Sequence, residues 1–207
     1  MFDHSLPAMN IFKFLTCIGF CLSLVGCAST KVETSGMPTT PIQVCQSKDE
    51  QIWALIVWKS EWRPDQKEVA LREEAAQRGI EEFFNHSGCF SHVHVRRLPG
   101  DNLTSTSSDL DLFKFAESEV PAPDKVLFIK VKELGPVVRI GLPALVEGGT
   151  EVVLELKAIN VRTKALIAAL VTHWQNGGVF VIKGVKTLEQ DMRAALAATL
   201  AQTAASQ

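Results

Sequence analysis

Ile52-Trp53-Ala54-Leu55-Ile56-Val57-Trp58 is a continuous apolar run of strand-forming residues. A strand with one wet face would alternate apolar and polar. A run without alternation suits a strand buried on both faces, in the middle of a sheet covered by helices. Pro64 and Asp65 end this first strand. Gln66 to Asn85 then follows a helical period. Val69, Ala76, Ile80, Phe83 and Phe84 share a stripe, and Glu73, Glu74, Gln77, Arg78, Glu81 and Glu82 fall outside it. Glu68 with Arg72 and Glu74 with Arg78 are i,i+4 pairs in the favourable order. Gly88 stands where a helix C′ glycine is expected.

Ser91 to Leu98 is a second strand. Its helical connection to the first predicts a parallel, right-handed crossover. Ser108 opens a short helix over Leu110, Phe113 and Ala116, which Pro121 and Pro123 stop. Lys125 to Leu134 is a third strand. Gly135 to Gly149 reads as an apolar but loop-like connection, interrupted by Gly141-Leu142-Pro143. Glu151 to Asn160 and Ala165 to Gln175 form an antiparallel hairpin, with Asn176-Gly177-Gly178 as a following turn. Thr187, with Gln190 three residues on, starts a last helix carrying Leu188, Met192, Ala195, Leu196 and Leu200. The expected fold is α/β (α+β): a mixed central sheet in the order strand-helix-strand-helix-strand-strand-strand-helix, with helices packed on it. Residues 47–207 make this one domain.

Upstream, Phe14 to Val25 is an apolar run behind Lys13, and it ends in Leu24-Val25-Gly26-Cys27. It is shorter than the ~20 residues of a membrane span and suits a cleaved leader. Residues 1–26 are therefore expected to be a lipoprotein signal peptide, translated from Met1 or from Met9, with Cys27 carrying the lipid. An uncleaved anchor without lipid is the alternative. Ala28 rather than Asp follows the cysteine, which favours the periplasmic face of the outer membrane. Residues 27–46 are rich in Ser, Thr, Pro and Gly and read as a flexible tether, on the order of 60 Å when extended.

The leader removes Cys17 and Cys21, and Cys27 takes lipid, so Cys45 and Cys89 remain. In an oxidising compartment they are expected to form a disulfide, each preceding one of two adjacent strands. Two unpaired thiols are the other reading. The net charge of −2 gives phosphates no basic surface, so no nucleic-acid partner is expected.

The apolar strand Ala54-Leu55-Ile56-Val57 and the helix running into Phe83-Phe84-Asn85-His86-Ser87-Gly88-Cys89-Phe90 carry a family resemblance. So does the hairpin Leu154 to Leu166, with Asn160-Val161-Arg162-Thr163-Lys164 at its tip. Together they resemble periplasmic lipoprotein domains related to the curli-secretion lipoprotein, the TolB N-terminal domain, the lipoprotein activator of penicillin-binding proteins and the Pel-export lipoprotein. The hairpin looks like their strand, Asp-x-x-Thr-Gly, strand element, with Asn160 and Lys164 replacing Asp and Gly. The resemblance implies a domain that binds envelope proteins or its own copies and does no chemistry.

His92 and His94 share one side of a strand, with His86 nearby. A metal pair is one reading and a solvated sheet face the other, since no further ligand follows at zinc spacing. Trp62, at the end of the first strand, is a candidate partner contact. So are Val137, Val138, Ile140, Leu142 and Leu145 of the apolar connection, whose other reading is a plug over the sheet edge. Motifs for a serine nucleophile elbow, a phosphate loop, a zinc protease or a redox dithiol are missing from the sequence. No catalytic residue, cofactor or metal is assigned. The expected function is a lipid-anchored, non-catalytic assembly or regulatory module of an envelope machine for secretion, polysaccharide export or cell-wall synthase activation. The alternative is a periplasmic hydrolase or a small-ligand or metal-binding protein.

Overall fold

The computed structural model of the protein describes residues 28–37, 44, 52–98, 109–141 and 145–202. A six-stranded mixed sheet organises them, in the order β1-β6-β5-β4-β2-β3. The strands are β1 (Ser29–Met37), β2 (Trp53–Ser60), β3 (His92–Arg97), β4 (Lys125–Gly141), β5 (Leu145–Asn160) and β6 (Ala165–Val179). The helices are α1 (Val69–His86), α2 (Asp109–Glu117) and α3 (Leu188–Gln202), the last entered through a 3-10 turn at Val185–Thr187.

The apolar run of β2 is buried on both faces, as its lack of alternation predicts. Ala54, Ile56 and Trp58 enter the larger core, with Ile80 and Phe84 of α1 and Met192 and Leu196 of α3. Leu55 and Val57 point the other way, against Leu112 and Ala116 of α2. Both crossovers from β2 are parallel. Leu55 faces His94 of β3 on one side and Val126 of β4 on the other. Beyond them β4, β5 and β6 form an antiparallel meander. The arrangement confirms the mixed sheet, the C-terminal hairpin and the packed helices.

The β5–β6 turn shows why Asn160 and Lys164 can replace Asp and Gly. Asn160 Oδ1 accepts the backbone N–H of Thr163 at 2.9 Å, as a carboxylate oxygen would. Lys164 takes φ 53, the left-handed conformation in which glycine is least strained. Gly88, at φ 67, ends α1 in the same conformation.

Two expectations are corrected. The tether assigned to residues 27–46 contains a strand: β1 pairs with β6 along its whole length, from Ser29 opposite Gly177 to Met37 opposite Ala169. Its Ser and Thr content reads as linker, but pairing decides strand formation as much as composition does. Val32 packs against the larger core, and the hydroxyls of Thr34 and Thr172 meet at 3.0 Å. The connection at Gly135 to Gly149 is also strand. β4 continues through Gly141 and β5 starts at Leu145, with Pro136 opposite Thr150 and Ile140 opposite Val146. Pro136 fits because β2 has already ended opposite Val131, leaving that edge of β4 with no ladder to break.

Candidate functional site

The chain past the end of β2 forms a wing. Here β4, β5, β6 and β1 continue alone, and one row of register crosses them: Val137 opposite Gly149, Gly149 opposite Gly177, and Gly177 opposite Ser29. A second glycine pair, Gly148 with Gly178, lies one step further out. At Gly149 and Gly177 the strands approach too closely for a side chain. A Cβ on Gly149 would stand 2.4 Å from the carbonyl oxygen of Asn176. Paired glycines let the ladder curl sharply.

The wing carries an open cavity of about 280 Å³, lined by the glycine backbone and by Lys31, Arg139, Glu147, Glu151 and Gln175 among others. Thr150 also lines it, and its buried hydroxyl has no hydrogen-bond partner. That hydroxyl lies on the core side of β5 with Val152 and Leu154, away from the side chains that line the cavity. Beyond the cavity Val138, Ile140, Phe180 and Ile182 are 61%, 80%, 71% and 86% exposed.

The predicted site residues fall in different places. Val137, Val138 and Ile140 come together on the wing. Leu145 begins β5 beside them, opposite Gly141, and Leu142 lies outside the described residues. Trp62 is far from the tip and is half-buried against the larger core. Its indole N–H bears on Glu73 and helps to lower that carboxyl's pKa, yet makes no hydrogen bond within normal limits. Cys27 and Cys45 lie outside the described residues. Cys89 is disulfide-bonded and buried. Val44, next to Cys45 in the chain, is fully buried in the same cluster as Cys89 and Phe90, and its carbonyl accepts Lys125 Nζ at 3.3 Å. His92 and His94 stand exposed on the edge strand β3, away from the cavity. His86 Nδ1 lies 3.0 Å from the Glu82 carbonyl oxygen at the end of α1. Among the described residues no group of three or more His, Cys, Asp or Glu is placed to hold a metal.

Phe180 and Ile182 had no part in the sequence reading, and the glycine pairs were read there as a turn and the end of a loop. The signal present was a pair of diglycines, Gly148-Gly149 and Gly177-Gly178, at matching distances from the β5–β6 turn.

Two carboxylates are held below their ordinary range. Burial opposes the charge on Glu155, but hydrogen bonds from Lys130 and Lys132, at 2.7 and 2.8 Å, and the charges of those lysines outweigh it. Burial likewise opposes Glu73, and hydrogen bonds from Ser60 and Arg97 prevail. A depressed folded pKa contributes stability above the unfolded value, near 4.5, and that contribution is lost as pH falls through the folded one. Glu155→Gln is therefore expected to lower stability at neutral pH and to flatten its loss in acid. Urea midpoints at neutral and acid pH check this; an unchanged acid slope would show that Glu155 carries none of it.

No protein-family model matches the chain, and no curated protein matches it. Similar solved structures include a PelC dodecamer from Paraburkholderia phytofirmans. It is 14% identical, with TM-score 0.42, over 86% of this chain and 100% of that one. A neuraminyllactose-binding hemagglutinin homolog from Helicobacter pylori is 11% identical, with TM-score 0.40, over 80% and 88%. A DUF330 protein from Xanthomonas campestris is 14% identical, with TM-score 0.35, over 84% and 89%. These are distant likenesses of chain course.

Proposed function

We propose that the protein is a lipoprotein acylated at Cys27 and held on the periplasmic face of the outer membrane. Its domain acts as a non-catalytic assembly or regulatory module of an envelope machine. The observation that carries this reading is the wing. It starts at Ser29, two residues beyond the anchoring cysteine, and projects past the helix-covered sheet with apolar side chains and a cavity uncovered. Exposed apolar groups gathered at one place mark contact surfaces. Because β1 follows the leader so closely, the domain sits at the membrane instead of swinging on a long leash. The partner is an envelope protein or a further copy of the chain.

A photo-crosslinker in place of Arg139, an exposed wall of the cavity, is expected to trap one defined species in cells. Cys27→Ser is expected to abolish that product by releasing the domain from the membrane. A monomer that crosslinks to nothing would count against the proposal.

A second reading draws on the cavity alone. Lys31, Arg139, Glu147 and Glu151 line it with both signs of charge, which suits a small polar ligand. Saturable binding of a purified envelope solute, lost in Lys31→Ala while the crosslinked product from position 139 is retained, would favour it.

A further inference from the structure

The outer end of the wing gathers four of the nine exposed large apolar side chains among the described residues: Val138, Ile140, Phe180 and Ile182. They come from two segments that the backbone ties together. Ile140 lies opposite Val146 in the β4–β5 ladder. The Phe180 N–H donates to the Val146 carbonyl at 2.8 Å, so Phe180 continues the same row. Val181 turns back over the wing, where its carbonyl occupies the space that a Cβ on Gly148 would need. Ile182 follows immediately and is the most exposed of the four.

Phe180 adopts φ 58, a left-handed conformation rare for an aromatic residue. A collapsed core offers apolar residues a place to hide, yet here a strained turn holds a phenyl ring out in solvent. Such strain persists where the surrounding structure over-determines it, and it clusters at functional positions.

The position of this end within the molecule says what covers it. β1 runs antiparallel to β6 and therefore starts where β6 finishes, with Ser29 opposite Gly177. Cys27 precedes Ser29 by two residues, a reach of at most about 7 Å along the chain. The apolar tip and the attachment residue thus belong to the same end of the sheet. The tip carries both signs of charge, Arg139 standing opposite Glu147, so it offers no strong field to a highly charged partner. It is also short. β6 reaches as far as Glu147, which leaves the β4–β5 turn only a few residues beyond it. A crossing strand needs ~9–11 residues, so the tip can enter a bilayer surface but cannot span one.

We infer that Val138, Ile140, Phe180 and Ile182 form a membrane-docking surface that enters the lipid interface beside the acylated Cys27. The inference rests on the acylation proposed above and deepens it. Lipid on Cys27 supplies attachment, and the tip supplies orientation. Together they fix the sheet at one attitude to the membrane, with the helix-covered body directed away from it. The acyl anchor makes tip insertion an intramolecular event, so a few side chains suffice where they would not hold a free protein.

The test uses the full lipidated protein in phosphatidylcholine vesicles. An environment-sensitive dye is placed at Ile140→Cys, at Ile182→Cys, or at Val120→Cys. Val120 is 93% exposed and precedes β4, at the opposite end of the strand from the tip. Each variant is compared with the parent by thermal melt, and the tip is sampled at two positions so that one misfolded variant does not decide the outcome. Nitroxide-bearing lipids are expected to remove most of the dye signal at 140 and 182 and to leave the signal at 120 unchanged. Intact mass on the same samples reports whether Cys27 is acylated. Aqueous dyes at all three positions on an acylated protein would overturn the docking surface and leave the anchor standing. Dyes at 140 and 182 that are shielded from aqueous iodide but untouched by the lipid quencher would place a protein on the tip, and so overturn it too. A protein without acyl mass at Cys27 would remove the anchor and the docking surface together.

Discussion

Trp174→Ala is expected to cost about 3–5 kcal/mol, the range for removing a large buried aromatic side chain. Trp174 is 2% exposed and sits on β6, opposite Val152 of β5 and Val32 of β1. It shares the larger core with Leu188, Met192 and Leu196 of α3. The loss would therefore act on three strands and a helix at once. Rigid ladders on both sides prevent the sheet from closing over the gap, so the cavity term adds to the transfer term. For a domain of this size each kcal/mol moves the melting point by roughly 2–4 °C, so a fall on the order of 10 °C is expected. Urea unfolding followed by fluorescence measures it. A loss below about 1 kcal/mol would mean that β1 and α3 do not pack on β6 as described.

The second large effect belongs to the disulfide. Cys89 is bonded, and Cys45 is proposed as its partner. Val44, next to Cys45 in the chain, lies fully buried in the same cluster as Cys89 and Phe90. Closing the loop between them would contribute ~3–4 kcal/mol by restricting the unfolded chain. Cys89→Ala, Cys45→Ala and the double variant are expected to lose the same amount, because each removes one bond. A Cys45→Ala protein as stable as the parent, beside a damaged Cys89→Ala protein, would assign Cys89 a different partner.

Much of the sheet was legible because burial leaves a direct trace in composition. The run from Ile52 to Trp58 declared its two covered faces, and the helix before Gly88 declared its stop and most of its stripe, although Val69 is exposed and Arg72, read as a surface partner of Glu68, is buried against Glu133. The wing was hidden for physical reasons. Strand β1 is exposed along most of its length, so it carries little apolar signal. What it shows is alternation of β-branched residues, with Thr30, Val32 and Thr34 sharing one side. Gly148, Gly149, Gly177 and Gly178 read as turns because glycine breaks isolated strands. At Gly149 and Gly177 it is required by the close approach of the paired strands, and at Gly148 by the Val181 carbonyl. Pro136 lies inside β4, where that strand has no neighbour on one side. These are consequences of register, which no local window contains.

The candidate site followed the same division. Val137, Val138 and Ile140 stood out as apolar residues without a visible core to enter, and all three lie on the wing, Val137 lining the cavity and Val138 and Ile140 on the other face of β4. Trp62 was singled out by residue type, and it packs largely against the core. Phe180 and Ile182 were not noticed, because their exposure depends on a backbone turn at φ 58 that the sequence does not announce.

The central claim is that Cys27 anchors a domain whose sheet begins at the membrane. Intact and tryptic mass of the protein purified from membranes tests it most directly. The account predicts a mature chain starting at Cys27 and carrying the mass of a diacylglyceryl group, with or without a further acyl chain. A chain that retains residues 1–26, or one that starts elsewhere with an unmodified Cys27, would contradict it.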